Sequence, residues 1–274
     1  MTSRPTILAE MFAGLRAQNR AALVGYLPAG YPDLAASKDL YAAIIEGGCD
    51  LVEVGLPFSD PVLDGPVIQH AAQQSLANGF RVRDTFDVVE SVTSRGGRAV
   101  VMTYFNPVLA YGVDAFARDL AAAGGAGVIT PDLIVDEAGP WLDAVHAHNI
   151  DPIFLVAPSS SVERIALTAA AGGGFLYAAS VMGVTGARDQ VSTAAPELVA
   201  RCRTVTGLPI GVGLGVRTGE QAREIAGYAD AVIVGTAFLG AYASGGRDGA
   251  ARLAADLADG IRAARRHSQP ARIN

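Results

Sequence analysis

Apolar positions along this 274-residue chain alternate between two patterns. Short, nearly continuous apolar runs read as strands buried on both faces, and longer stretches with apolar residues three or four apart read as helices. Thr6 to Ala17, with Ile7, Leu8, Met11, Phe12 and Leu15 on one face, predicts a helix that could close the bottom of a barrel. The first strand, Ala21 to Tyr26, follows. Asp33 is the expected N-cap of a helix over Leu34 to Glu46 that Gly47-Gly48 ends. Strand two is Asp50 to Val54, then come helical patterns over about Val67 to Leu76 and Val82 to Ser94. Strand three (Ala99 to Tyr104) precedes Asn106-Pro107 and a helix from Val113 to Ala123. Strand four (Gly127 to Thr130), a helix from Asp136 to His148 and strand five (Pro152 to Val156) come next. A helix from Ser159 to Ala171 leads to strand six (Phe175 to Ala179). Ala187 to Val205 holds a helix in which Pro196 marks a kink or a late start. Strand seven (Pro209 to Gly213), a helix (Thr218 to Ala226), strand eight (Ala231 to Gly235) and a last helix (Arg247 to Arg266) complete the chain, with a polar tail from about residue 268.

Eight strands alternating with helices exceed the five or six usual in a doubly wound sheet. The pattern predicts a single α/β domain over 1–274, a closed (β/α)8 TIM barrel with an extra N-terminal helix and a short helix after strand eight. In such a barrel, chemistry sits where the strands end at the C-terminal face.

One residue breaks the apolar pattern of strand two. In Leu51-Val52-Glu53-Val54 a carboxylate sits among aliphatic neighbours, where burial should raise its pKa and make it a general acid near neutral pH. The competing reading is a structural ion pair with an Arg or Lys elsewhere. Gly55 and Pro57 end the strand, and the loop after them carries Asp60 and Asp64.

Glycine-rich turns close the last two strands: Gly211-Val212-Gly213-Leu214-Gly215-Val216 and Val234-Gly235-Thr236-Ala237. Glycines let backbone N–H groups approach a phosphate, and a helix N-terminus adds a favourable dipole. Thr236 to Tyr242 has the length and character of the short phosphate helix that barrels place after strand eight. The turn after strand six, Ser180 to Arg188, lacks an apolar period and reads either as a lid or as an ordinary connection.

Composition narrows the class. The net charge of −6 and pI near 5.2 argue against a nucleic-acid partner or a polybasic membrane surface. No apolar run approaches 18 residues and the N-terminus lacks a signal-like core, so a soluble, cytoplasmic protein is expected. Cys49 and Cys202 read as reduced core residues. His146 and His148 are two apart, off any shared helix face, so no metal site is expected, and His70 reads as a surface residue.

Together, the run from Glu53 to Pro66, Gly183-Val184-Thr185-Gly186-Ala187, Gly213-Leu214-Gly215-Val216, Gly25 to Pro32 and Met102 to Pro107 resemble the tryptophan synthase alpha-subunit family, over about residues 6–260. The resemblance implies cleavage of indole-3-glycerol phosphate into indole and glyceraldehyde 3-phosphate. Glu53 would be the acid–base group at the indole ring carbon and the glycerol hydroxyl, and Asp64 would hold the indole N–H. Gly186, Gly215, Gly235 and Thr236 would bind phosphate, with Thr236 where the family usually has serine. Thr185, on the lid, would orient the catalytic loop; Tyr26, Tyr104, Tyr177 and Leu214 would line the indole pocket, although each taken alone also reads as barrel core. Val181 stands where some members carry an Arg. Asp60 would face the partner, against a plain reading as a solvated turn residue.

The resemblance also implies no metal or cofactor in this chain. The partner would be a beta subunit carrying pyridoxal phosphate in an alpha2-beta2 heterotetramer. Lys38 is the only lysine and lies in a predicted surface helix, which suits neither a Schiff base nor the catalytic Lys of other phosphate-binding barrels. A non-catalytic activator of the beta subunit is the competitor from another class; retention of both Glu53 and Asp64 argues against it.

Overall fold

The structure, a computed structural model, describes residues 5–60, 62–179, 194–213 and 215–264. Among these, nine strands form one all-parallel sheet in the order β5-β4-β3-β2-β1-β9-β8-β7-β6. The strands are β1 (Ala22–Pro28), β2 (Leu51–Gly55), β3 (Ala99–Met102), β4 (Gly127–Ile129), β5 (Asp151–Ile153), β6 (Leu155–Val156), β7 (Leu176–Ala179), β8 (Ile210–Gly213) and β9 (Ala231–Val234). The two outermost strands are consecutive in the chain. β5 pairs with β4, β6 pairs with β7, and Phe154 between them accepts from Tyr177 N at 3.0 Å. The single fifth strand expected from the apolar run is thus split at Phe154, and its halves join the ends of the sheet into a barrel.

The helices are α1 (Ile7–Ala17), α2 (Leu34–Glu46), α3 (Pro66–Ala77), α4 (Val82–Thr93), α5 (Phe105–Tyr111), α6 (Val113–Ala122), α7 (Gly139–Ala147), α8 (Val162–Ala171), α9 (Ala194–Arg203), α10 (Gly219–Ala226) and α11 (Thr236–Arg262). Side-chain caps begin several of them where the sequence pattern expects: Thr6, Asp33 and Thr218 each accept from the backbone N–H three residues on.

Four elements differ from the apolar pattern. A helix, α5, stands at Asn106-Pro107, where the apolar pattern predicts no element; Pro107 lies in its first turn, where no intrahelical N–H bond is lost. The helix expected over Asp136–His148 is a 3-10 turn (Val135–Glu137) followed by α7, which restarts at Gly139-Pro140. The helix expected from Ser159 begins at Val162, because Ser161 turns its hydroxyl back to cap Arg164 N. α11 is two helices in sequence, broken at Gly245 and Gly246, and so contains both the short helix and the long one that the sequence predicts.

Period-2 alternation sends strand side chains to opposite faces, and two separate apolar clusters result. The outer one, with Leu23, Val52, Val54, Val101, Val128 and Val232, packs against the helix ring. The inner one fills the barrel with Val24, Leu51, Val100, Ile129, Ile153 and Ile233. Leu8, Met11, Phe12 and Leu15 of α1 belong to this inner cluster, and the Phe12 ring lies 5.8 Å from that of Phe175. α1 therefore plugs the N-terminal end. Two aspartates lock that face: Asp50 accepts from Leu23 N and both Arg20 guanidinium nitrogens, and Asp230 accepts from Ile210 N and pairs with Arg203. The open end is the other one.

Candidate active site

Glu53 is the third of the five residues of β2, inside the strand rather than at its C-terminal end. Leu51 belongs to the inner cluster, so the same alternation turns Glu53 into the barrel, beside Tyr26 in register on β1. It is fully buried, and among the described residues neither carboxylate oxygen has a hydrogen-bond partner. Burial alone pushes its pKa up to about 8. Among the described residues no arginine or lysine contributes to that shift, which speaks against the ion-pair reading. Such a carboxyl holds a proton at neutral pH and faces the barrel interior.

Tyrosines surround this carboxyl. Tyr26 and Tyr177 are pushed well above the ordinary phenol range by burial, with Glu53 adding to both shifts. Their rings fit because glycines stand beside them. A methyl group at Gly55 would lie 2.6 Å from the Tyr26 hydroxyl, and one at Gly213 would lie 2.6 Å from that of Tyr177. Tyr41 of α2, behind the sheet, donates to Leu27 O and so ties down the C-terminal end of β1 next to β2.

Asp64 lies in the loop between β2 and α3, one residue before the Gly65 N-cap. It is half-buried, and burial raises its pKa too; its charge is felt by Tyr26 and Tyr104. The two carboxylates expected to act together thus share one mouth, with Tyr26 between them in the electrostatic sense. The Tyr104 hydroxyl does more than line a wall. It accepts from Val62 N at 2.9 Å and Leu63 N at 2.8 Å, and its ring packs on Phe58 with centroids 5.3 Å apart. Sequence reasoning placed Tyr104 at the pocket but could not see this bond, because nothing local links it to a loop 41 residues earlier.

On the far side of β1 from Glu53, β8 ends in Gly213 and Gly235 follows β9. Gly215 has a positive φ of 67°, and Gly235 precedes α11, whose N-terminus has no side-chain cap; Thr236 is its first residue. An uncapped helix start at the C-terminal face has the chemistry that suits an anion. Gly186, Thr185 and Val181, on the expected lid, and Leu214, expected in the pocket, lie outside the described residues. Asp60 is exposed and accepts from its neighbour Ser59 at 2.6 Å. His70 is exposed on α3. Among the described residues no cluster of three or more His, Cys, Asp or Glu could hold a metal, no helix is long and apolar enough to cross a membrane, and Cys49 and Cys202 are buried and unpaired.

A TIM barrel with a buried, protonatable carboxyl facing its interior, a second carboxylate in the loop after the same strand and an uncapped helix start after the last strand has the parts of an acid–base enzyme. A sequence model of the tryptophan synthase alpha chain matches residues 12–262, and the chain belongs to that family. The alpha chain of Nocardia farcinica is 62% identical over 262 residues, covering 96% of this chain and 98% of its own. That of Mycobacterium avium is 59% identical, covering 95% and 96%. Among solved structures, Mycobacterium tuberculosis tryptophan synthase superposes with a TM-score of 0.91 at 58% identity, over 94% of this chain and 99% of that one. The Legionella pneumophila alpha subunit, only 29% identical, still gives 0.83 over 93% and 98%.

Proposed function

We propose that this chain cleaves indole-3-glycerol phosphate to indole and glyceraldehyde 3-phosphate as the lyase component of tryptophan synthase. Glu53 carries the reading, as a fully buried carboxyl with no hydrogen-bond partner among the described residues. Because burial holds its proton to about pH 8, it begins the cycle as an acid. It gives that proton to the indole ring carbon that bears the glycerol chain, which leaves positive charge on the ring nitrogen. Asp64, ionised, accepts the indole N–H and stabilises that charge. The resulting Glu53 carboxylate then takes the glycerol hydroxyl proton. As the aldehyde forms, the carbon–carbon bond breaks and its electron pair returns to the ring. Indole leaves neutral and Glu53 is again protonated.

The phosphate is held by backbone N–H groups around Gly215, Gly235 and Thr236, joined by Gly186, while Tyr26, Tyr177 and Leu214 enclose the flat ring and Thr185 closes the lid. No metal or cofactor of this chain enters any step. The partner is a beta subunit, in an alpha2-beta2 assembly, whose pyridoxal phosphate joins indole to serine. Its docking face is the C-terminal rim, where Val62, Leu109 and Ile134 stand 71, 56 and 59% exposed on three successive loops and helices. Bonds from Val62 N to Tyr104 and from Phe105 N to Asp132 tie those segments side by side. Asp60 lies on the first of them.

The test is indole release from indole-3-glycerol phosphate by the purified chain, with and without a beta subunit. A low rate alone that rises strongly with the partner supports both lyase and coupling. A full rate alone points to a free-standing lyase, and no indole in either case removes the enzyme reading.

A further inference from the structure

The loop that carries Asp64 leaves the barrel at the end of β2 and runs through exposed residues before α3 begins. A carboxylate that must meet one N–H group needs its position fixed to within a fraction of an ångström. The backbone on either side of Tyr104 is immobilised by the barrel itself. Thr103 N donates to Ile129 O at 3.0 Å, the Thr103 hydroxyl donates to Tyr104 O at 2.8 Å, and Phe105 N donates to both Asp132 oxygens at 2.9 and 3.1 Å. The ring is packed against Phe58, on the loop side. From this frame the phenol oxygen receives two N–H groups, those of the two residues directly before Asp64. Two acceptor sites on one oxygen are then filled, which leaves the O–H free to donate at the mouth.

We propose that Tyr104 is a positioning residue for Asp64: its phenol oxygen grips the Val62 and Leu63 amides and thereby sets where the Asp64 carboxylate stands against the indole N–H. The role rests on Asp64 acting as proposed above. It differs from pocket lining, which needs only the aromatic ring. Tyr104→Phe separates the two, because it keeps the ring and its contact with Phe58 while removing the acceptor.

The experiment uses the full chain saturated with beta subunit. It measures kcat for indole release and the affinity for two non-cleavable indole phosphates, one with a free ring N–H and one N-methylated. In the unaltered protein the N–H analogue binds tighter, because only it can donate to Asp64. Tyr104→Phe is expected to lower kcat on the order of 10- to 100-fold and to shrink that N–H preference, with little change in the thermal midpoint. A role confined to packing moves neither kcat nor the preference. Unchanged kcat and preference in Tyr104→Phe, alongside collapse of both in Asp64→Asn, would overturn the inference. So would a kcat loss that vanishes when the partner concentration is raised, since Tyr104 would then act on docking. If Asp64→Asn itself leaves rate and preference intact, the role proposed for Asp64 fails instead.

Discussion

At the scale of single residues, the site turns on a carboxyl that the fold buries without a partner. Its oddity is legible in the sequence, since a Glu in the run Leu51 to Val54 stands out by type alone. The absence of a cation beside it is not, because that depends on which residues eight strands bring inward. The energetic consequence has a definite sign. A folded-state pKa of about 8, against 4.5 for the free side chain, means that the folded chain binds the proton more tightly. The contribution of Glu53 to stability is therefore whole below about pH 4.5 and is lost as pH rises through 8. Glu53→Gln removes that loss. It should make the chain more resistant to urea at pH 9, by on the order of a few kcal/mol, and change little at pH 5. The same substitution should cut indole release by at least about 100-fold; retained cleavage would remove the acid–base assignment. In the unaltered protein, kcat/KM should fall above about pH 8 as Glu53 loses its starting proton. Gly55 is the other residue on which the mouth depends. A methyl there meets the end of the Tyr26 ring at 2.6 to 2.8 Å, so Gly55→Ala should cost about 1–3 kcal/mol, measured by denaturant titration, and lower the rate by displacing the ring.

At the scale of elements, the barrel separates its two ends. The N-terminal end is plugged by α1 and pinned by Asp50 and Asp230, and the C-terminal end is left to loops and helix starts. Phe12 is 5% exposed and stacks toward Phe175, so Phe12→Ala should destabilise the chain by about 3–5 kcal/mol in urea while leaving kcat of the folded protein close to normal. A drop in kcat matching the drop in stability would mean that the plug shapes the mouth as well. The break in α11 is a second structural device. Gly246 has φ 58° and ψ −154°, a conformation that essentially only glycine adopts, although open space surrounds it. Gly246→Ala should therefore cost about 1–3 kcal/mol through local backbone strain, with no clash against the rest of the fold. Most elements were readable because their apolar periods are clean and because Thr6, Asp33 and Thr218 mark helix starts. The others were hidden by specific chemistry. α5 is short and carries Pro107 in its first turn, so it leaves no clear helical period to read. The split of strand five at Phe154 arises because the chain must pair left with β4 and then right with β7, and no local period encodes that.

At the scale of the whole molecule, the distribution of exposed apolar side chains indicates how the mouth is covered. Large apolar residues scattered singly on a surface need no explanation, but Val62, Leu109 and Ile134 occupy neighbouring segments of one rim. These segments are tied to one another through Tyr104 and Asp132, so a partner seated on the proposed docking face would bear directly on the loop that carries Asp64. Indole is apolar and would escape into water unless the mouth opened onto the protein that consumes it. Leu109 lies one turn beyond Phe105 on α5, away from both carboxylates in sequence, and its side chain is 56% exposed. Leu109→Asp should therefore fold normally and keep whatever rate the isolated chain has. It should weaken beta-subunit binding by about 1–3 kcal/mol, roughly a 5- to 150-fold rise in Kd, measured by calorimetric titration. Stimulation of indole release should then need proportionately more partner and reach the same plateau. A variant that binds normally but cannot be stimulated would instead place Leu109 in the coupling itself, and one that binds and responds as the unaltered chain does would move the docking face elsewhere on the barrel.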